Sequence, residues 1–303
     1  MKIVLALIAC MLACAQTASA DGLNIRKQIG FYQEHALFTS AASLKRCTAL
    51  LRASLTHGTR DDADERMRRQ KCFDNFSGLS DARFLTQKEK SLPPSQAATL
   101  LLFDKTVLVR IASFDYGVSK LLGELLTQAP AQRLAEADTV LIDLRGNGGG
   151  YVTELRDVLA YFAPEAGSYM ATATRCDDVA PVQVAKKRGV LGGKRYTILV
   201  DRNTMSAAEW FTAQMRYGWY DGSTSVDGFG VSRTFGKAIM QTVNRELGML
   251  VTCGQWEYPR HPVQGVGIPV DKELDQPKEC GFDIKCALSE LGITGKQAIA
   301  GSR

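Results

Sequence analysis

Histidine is scarce in this chain: His35, His57 and His261 are all it has among 303 residues. A serine–histidine hydrolase or a histidine-built metal centre therefore has few side chains to draw on. Cysteine does not fill the gap. No Cys-x-x-Cys spacing occurs and no two histidines are spaced as ligands, so neither a metal nor a cofactor is expected. No Gly-Lys-Ser/Thr phosphate loop is present, since Gly193-Lys194 runs into Arg195. The net charge is only +5, and the densest basic run, residues 66–71, reads as a solvated helix face, so nothing points to nucleic acid as a partner. No apolar run after residue 20 is long enough to span a membrane. Repeats and low-complexity segments are missing too, while 45% hydrophobic and 23% charged residues place the chain among folded globular proteins.

The first twenty residues read as a targeting signal, with Lys2 as the basic start, residues 3–15 as the apolar core and Ala18-Ser19-Ala20 as the cleavage site. Asp21 is then the first mature residue, and a periplasmic or secreted location is expected. Leu7-Ile8-Ala9-Cys10 offers an alternative, a lipid anchor at Cys10. The six cysteines outside the signal form an even set suited to an oxidising compartment. The expected pairs are Cys47 with Cys72, Cys176 with Cys253, and Cys280 with Cys286, out of the fifteen connectivities that six cysteines allow.

Ser206 is the most informative residue that is present. Ser206-Ala207-Ala208-Glu209 is a capping box, which by itself marks an ordinary helix start. Its surroundings say more. Residues 196–201 read as a buried strand, and Ala208, Phe211 and Met215 recur at helical spacing up to Gly218, which puts Ser206 on a strand-to-helix turn. There the free amides at the helix start, Ala207 first, can stabilise an oxyanion.

A serine nucleophile needs a base. Lys237, 31 residues later, sits among Phe235, Ala238, Ile239 and Met240, surroundings that disfavour an ammonium. Gln241 shares a face with Lys237 whether the segment is helix or strand, and so could orient its amine. The alternative is a lysine snorkelling to solvent. A third segment, residues 139–151, is an apolar strand ending in Gly146-Asn147-Gly148-Gly149-Gly150. A helix follows with Leu155, Val158, Leu159 and Phe162 on one face, so the glycine amides can face an anion or a carbonyl oxygen; the plain reading is a tight turn.

Together these segments resemble the C-terminal processing, or tail-specific, proteases, serine peptidases with a Ser-Lys-Gln triad. The carrying residues are Asp143-Leu144-Arg145, Asn147, Gly149 and Gly150; Ser206 three residues before Glu209; Thr234-Phe235-Gly236-Lys237 with Gln241; and the later Tyr258-Pro259 and residues 265–271. The resemblance implies catalytic Ser206, Lys237 and Gln241, with oxyanion amides from Ala207 and from Gly149 or Gly150. It also implies an α/β, crotonase-like or Clp-protease-like ββα core and a protein or peptide substrate. Asp143 and Arg145 read as anchors of the glycine loop rather than as catalytic residues. The chain departs from the family in two places. Residues 217–229 are extended by glycines and small polar residues that read as a surface loop, and only about twenty-five residues separate the expected N-terminal helices from the strand at Leu100, too few for the PDZ domain such proteins commonly carry.

The expected organisation is a signal over 1–20, a small helical N-terminal domain over 21–95 and the catalytic domain over 96–303. The helical unit is a candidate dimerisation arm, lid or partner-binding module, so homo-oligomerisation through it is one expectation. Three other readings stay open: a catalytically silent relative whose cleft binds a peptide or hydrophobic ligand, a structural envelope protein, and a Ser-His-Asp hydrolase using His261.

Overall fold

The computed structural model describes residues 27, 30–31, 34, 82–84, 98–170, 173–174, 182–237, 239–244, 246, 249–256, 258, 260–275, 284–293 and 298–299. The six cysteine side chains expected to pair, the signal, and nearly all of the segment read as a helical domain lie outside them. The chain divides into two compact units, one of residues 1–92, 175–177 and 240–254, the other of residues 93–174, 178–239 and 255–303.

In chain order the strands are β1 (Ala82–Phe84), β2 (Ala98–Leu102), β3 (Thr106–Ile111), β4 (Thr139–Asp143), β5 (Tyr169–Met170), β6 (Ala173–Thr174), β7 (Val182–Gln183) and β8 (Arg195–Val200). They continue with β9 (Thr224–Phe229), β10 (Ile239–Asn244), β11 (Met249–Trp256), β12 (Lys272–Leu274) and β13 (Ala298–Ile299). The helices are α1 (Val118–Gln128), α2 (Ala131–Glu136), α3 (Val152–Leu159), α4 (Ala207–Ala213), which runs on as a π-helical turn over Gln214–Trp219, and α5 (Ile284–Glu290).

The larger unit is built on a seven-stranded sheet of order β12-β9-β8-β4-β3-β2-β13. β2 and β3 form an antiparallel hairpin, while β3, β4, β8, β9 and β12 run parallel. Parallel strands need crossovers, which α1 with α2, α3 and α4 supply. A sheet covered on both faces reads as continuous apolar runs, and Val107-Leu108-Val109, Val140-Leu141-Ile142 and Ile198-Leu199-Val200 are buried throughout. Alternation sends these residues to two cores. Leu108, Leu141 and Leu199 join Leu101, Phe103, Phe229, Leu274, Ala287 and Leu288 beneath α5. On the helical side, Phe162 meets Phe211 edge-on at 5.3 Å, and Phe211 meets Phe114 at 5.9 Å.

One expectation changes. Residues 224–229, read as part of a surface loop, form β9, an interior strand between β8 and β12. Thr224-Ser225-Val226-Asp227-Gly228 has one apolar residue, the buried Val226, but Ser225 donates to Asp227 at 2.7 Å, and a side chain at Gly228 would meet the Val231 carbonyl at 2.3 Å. Local satisfaction and close backbone approach replace hydrophobicity there. Residues 240–254 cluster with residues 1–92. In that smaller unit β11 pairs antiparallel with β1, a strand inside the segment read as helical, and β10 lies on the other side of β11.

Leu141 lies at the centre of the parallel sheet with 2% exposure. Leu141→Ala is expected to lower the unfolding free energy by about 2–5 kcal/mol, read as a shifted urea midpoint with unchanged slope.

Candidate active site

The site forms where β4 and β8 end side by side, the crevice at which open parallel sheets bind their ligands. After β4 the chain turns sharply. Asp143, 0% exposed, receives Arg145 Nε and Nη2 at 2.9 Å each, the Arg145 amide at 3.1 Å and Arg110 Nη1 at 2.7 Å. Arg145 is equally buried and also covers the Phe229 ring at 4.6 Å. Such bidentate, charge-assisted pairing fixes the start of the glycine loop, the anchoring role expected of these two residues. Asn147 then donates to the Ile111 carbonyl at 2.9 Å and accepts from the Gly149 amide at 2.8 Å.

The loop after β8 locks onto the first. Asp201 Oδ1 accepts the Gly146 amide at 3.0 Å and the Asn203 amide at 2.9 Å. Thr204 donates to the Leu144 carbonyl at 3.0 Å, and the Met205 amide to the Asn147 carbonyl at 3.1 Å. These bonds deliver Ser206 at the head of α4 with φ +56° and ψ −122°, a conformation a serine rarely adopts. It costs about 1–3 kcal/mol and persists only where its surroundings over-determine it. A sharp, strained strand-to-helix turn of this kind presents a serine hydroxyl at the top of a sheet.

Gly149 packs directly on the serine. With φ +99°, it sits where a Cβ would lie 2.7 Å from Ser206 Cβ and 3.0 Å from the Ala207 nitrogen. Its amide is taken by Asn147, so of the two glycines named for the oxyanion site, Gly150 has the amide with no acceptor among the described residues. Gly150 is exposed and held by Phe114, whose amide donates to the Gly149 carbonyl at 2.9 Å while its carbonyl accepts the Tyr151 amide at 2.8 Å. Ala207 opens α4, where an amide has no intrahelical acceptor.

Lys237 arrives beside Ser206 from the other side. The Ser206 amide donates to the Lys237 carbonyl at 3.1 Å. What sequence reasoning missed is the scale of the part played by Glu209. It completes the capping box, and its fully buried carboxylate accepts the Thr234 hydroxyl at 2.5 Å and the amides of Gly236 at 2.6 Å, Lys237 at 2.7 Å and Ser206 at 3.3 Å. The sequence did carry a signal: Glu209 is the one charge in the run from Ala207 to Ala213, all of it buried. Burial pushes the Glu209 carboxyl above the usual range, against the downward pull of its hydrogen bonds. A second brace backs the lysine segment. The Ile268 amide donates to Thr234 Oγ1 at 2.8 Å and the Gly265 amide to the Gly236 carbonyl at 2.7 Å, which places the late glycine segment of residues 265–271 behind Lys237.

Of the apolar neighbours expected around Lys237, Phe235 is 56% exposed. Gln241 lies on β10 in the smaller unit, and its side chain is outside the described residues. His261, the alternative base, stacks face to face on Tyr217 at 4.1 Å. Tyr258 donates to Gln214 in the π-helical turn. Among the described residues no group of His, Cys, Asp and Glu is placed to hold a metal, and no helix is long and apolar enough to cross a membrane.

The sequence model of peptidase family S41 matches residues 105–268, more than half of the chain and every element of this site in the larger unit. The chain belongs to peptidase family S41. It is thereby a member of a family of serine-type peptidases, and its α/β sheet with flanking helices is that family's protease core. A lipoprotein from Streptococcus agalactiae has a similar fold, with a TM-score of 0.63 at 12% identity over 90% of this chain and 95% of that one. So has a putative peptidase from Parabacteroides merdae, with a TM-score of 0.54 at 14% identity over 88% and 95%. A photosystem II D1 C-terminal processing protease aligns at 21% identity with a TM-score of 0.45, over 68% of this S41 chain, which spans 51% of that one. No curated protein matches the sequence.

Glu209→Gln turns one acceptor oxygen into a donor facing amides, and is expected to cost about 2–4 kcal/mol in chemical denaturation. The sign of the pH effect follows from the raised folded pKa. The Glu209 contribution is complete below the unfolded-chain value of about 4.3 and is lost as pH rises through the higher folded value. The stability gap between the protein and Glu209→Gln should therefore narrow with rising pH.

Proposed function

We propose that this S41 member is an endopeptidase in which Ser206 attacks a peptide carbonyl and forms an acyl-enzyme. The observation that carries the reading is the strained Ser206 at φ +56°, with its amide on the Lys237 carbonyl and Gly149 packed against its Cβ. Lys237 takes the serine proton and returns it to the leaving amine, so the proton count balances over acylation. Water then attacks the acyl-enzyme with the same lysine as base. The amides of Gly150 and Ala207 stabilise the oxyanion of each tetrahedral intermediate. Glu209 holds the nucleophile and the base in register without touching substrate. Gln241 orients the lysine amine, an assignment that rests on sequence spacing and the family resemblance. Unfolded or extended protein is the substrate class, and the N-terminal signal with the even cysteine set supports a periplasmic or secreted site of action.

Proteolysis of an unfolded protein by the purified, oxidised protein tests the reading. Ser206→Ala and Lys237→Ala should each lower kcat by at least about a thousandfold, while His261→Ala keeps activity. Cleavage surviving in Ser206→Ala, or lost in His261→Ala with the fold intact, would sink the mechanism.

A further inference from the structure

A second concavity of about 380 Å³ lies in the larger unit, between α1, the end of α3 and residues 184–190. That is within the size range of small-ligand and side-chain pockets. Its floor is apolar, from Leu126, Ala160, Val184 and Ala185, with Val190 at the mouth. Its rim is the consecutive Lys186-Lys187-Arg188.

The pocket is built by the fold. A side chain at Gly123 would meet the Tyr161 hydroxyl at 2.3 Å, so the phenol lies across α1 and donates to the Ser119 carbonyl at 3.1 Å. A side chain at Gly189 would meet the Tyr161 carbonyl, also at 2.3 Å, and the Gly189 amide is tied to the Ala163 carbonyl at 2.9 Å. The Leu191 amide adds a bond to the Tyr161 carbonyl at 2.9 Å, and Arg188 Nη2 caps the Gly192 carbonyl at 2.7 Å. Glycines at both close approaches and four hydrogen bonds hold the basic triplet over the apolar floor.

The charge is one-sided. Among the described residues none of Lys186, Lys187 and Arg188 pairs with a carboxylate. Of the acids on α1 and α3, Asp157 pairs with Arg156 at 2.7 Å and Glu124 with Lys120 at 3.9 Å. Arg188 is also close enough to Lys194 to help hold that ammonium below its usual range, after burial as the larger cause. Three cations with no carboxylate partner among the described residues, beside an apolar hollow, are matched by carboxylates flanking an aliphatic side chain.

We propose that this pocket is an exosite for acidic polypeptide segments, seating an aliphatic side chain on Leu126 and Val184 while neighbouring carboxylates meet Lys186 and Lys187. Its consequence for cleavage rests on the peptidase reading; its binding does not. The pocket lies at the C-terminal end of α3, and the glycine loop enters the other end. An eight-residue helix is about 12 Å long, a gap that roughly four residues of extended peptide bridge. A segment held there tethers its substrate beside the serine and raises its local concentration.

The test uses full-length protein carrying Ser206→Ala and a fluorescein-labelled peptide of repeated Leu-Glu-Glu-Gly, read by anisotropy. Saturable binding that weakens more than about tenfold in Lys186→Glu/Lys187→Glu, in Val190→Trp and in high salt is expected, with no binding of the Leu-Lys-Lys-Gly counterpart. Equal binding to the charge-reversed protein, equal binding of the lysine peptide, or decanoate binding where the acidic peptide does not, would overturn the proposal. In the unmodified protein the same charge reversal should raise KM for acid-flanked substrates and leave kcat, and hydrolysis of a short uncharged peptide, unchanged. Because binding is read without turnover, failure of the peptidase reading leaves the anisotropy result standing.

Discussion

A carboxylate with no exposed surface must be matched by donors, and the four that meet Glu209 come from Ser206 on one side and from Thr234, Gly236 and Lys237 on the other. One side chain thus joins the head of α4 to a segment nearly thirty residues further along the chain. Hydrogen bonds to a charged group contribute about 1.5–3 kcal/mol each. Four of them work against the larger cost of burying the charge, which still holds the carboxyl above its usual range, and they hold the strained turn at Ser206 in place. The backbones of Ser206 and Lys237 keep their register because both amides donate to this one carboxylate.

The glycine loop depends on a parallel device. Asp143 gathers two guanidinium groups at the end of β4, and Asp201 gathers amides from both loops at the end of β8. Both carboxylates sit where parallel strands stop and their last carbonyls and amides lose ladder partners. The backbone amides that these carboxylates accept replace the lost bonds as the chain bends, so that Gly149 reaches contact with Ser206 while the Gly150 amide has no acceptor among the described residues. The apolar strands beneath supply rigidity, and the polar layer at their ends supplies direction.

The late glycine segment and the basic pocket show the same economy of backbone approach. Gly267 lies where a side chain would sit 2.3 Å from the Thr234 carbonyl, and Gly189 stands as close to Tyr161. In each case a missing Cβ lets two loops lie flat on one another, behind Lys237 in the first and under the basic triplet in the second. The helix after Ser206 also widens into a π-helical turn at Gln214, beyond the Gly218 stop that spacing alone suggests, with Tyr258 bound to Gln214 and His261 stacked on Tyr217. A histidine that looked available as a base in the sequence is engaged by an aromatic ring.

The sequence by itself determined the strands whose two faces are buried, because continuous Val, Leu and Ile runs leave little choice, and it determined the strand-to-helix turn at Ser206, because a capping box after such a run is a local signal. It also singled out Lys237 and the glycine loop, by residue type and order. Only the tertiary structure decided that Thr224–Phe229 is an interior strand, where the Val226 amide donates to Asp271 forty-five residues further along the chain, a partner that local pattern does not reveal. It alone decided that Gly149 spends its amide on Asn147 while Gly150 does not, and that Glu209 is shared between two segments. Hydrophobic periodicity is written into a few consecutive residues, whereas hydrogen-bond partnership over long sequence separation exists only once the sheet has brought the loop ends together.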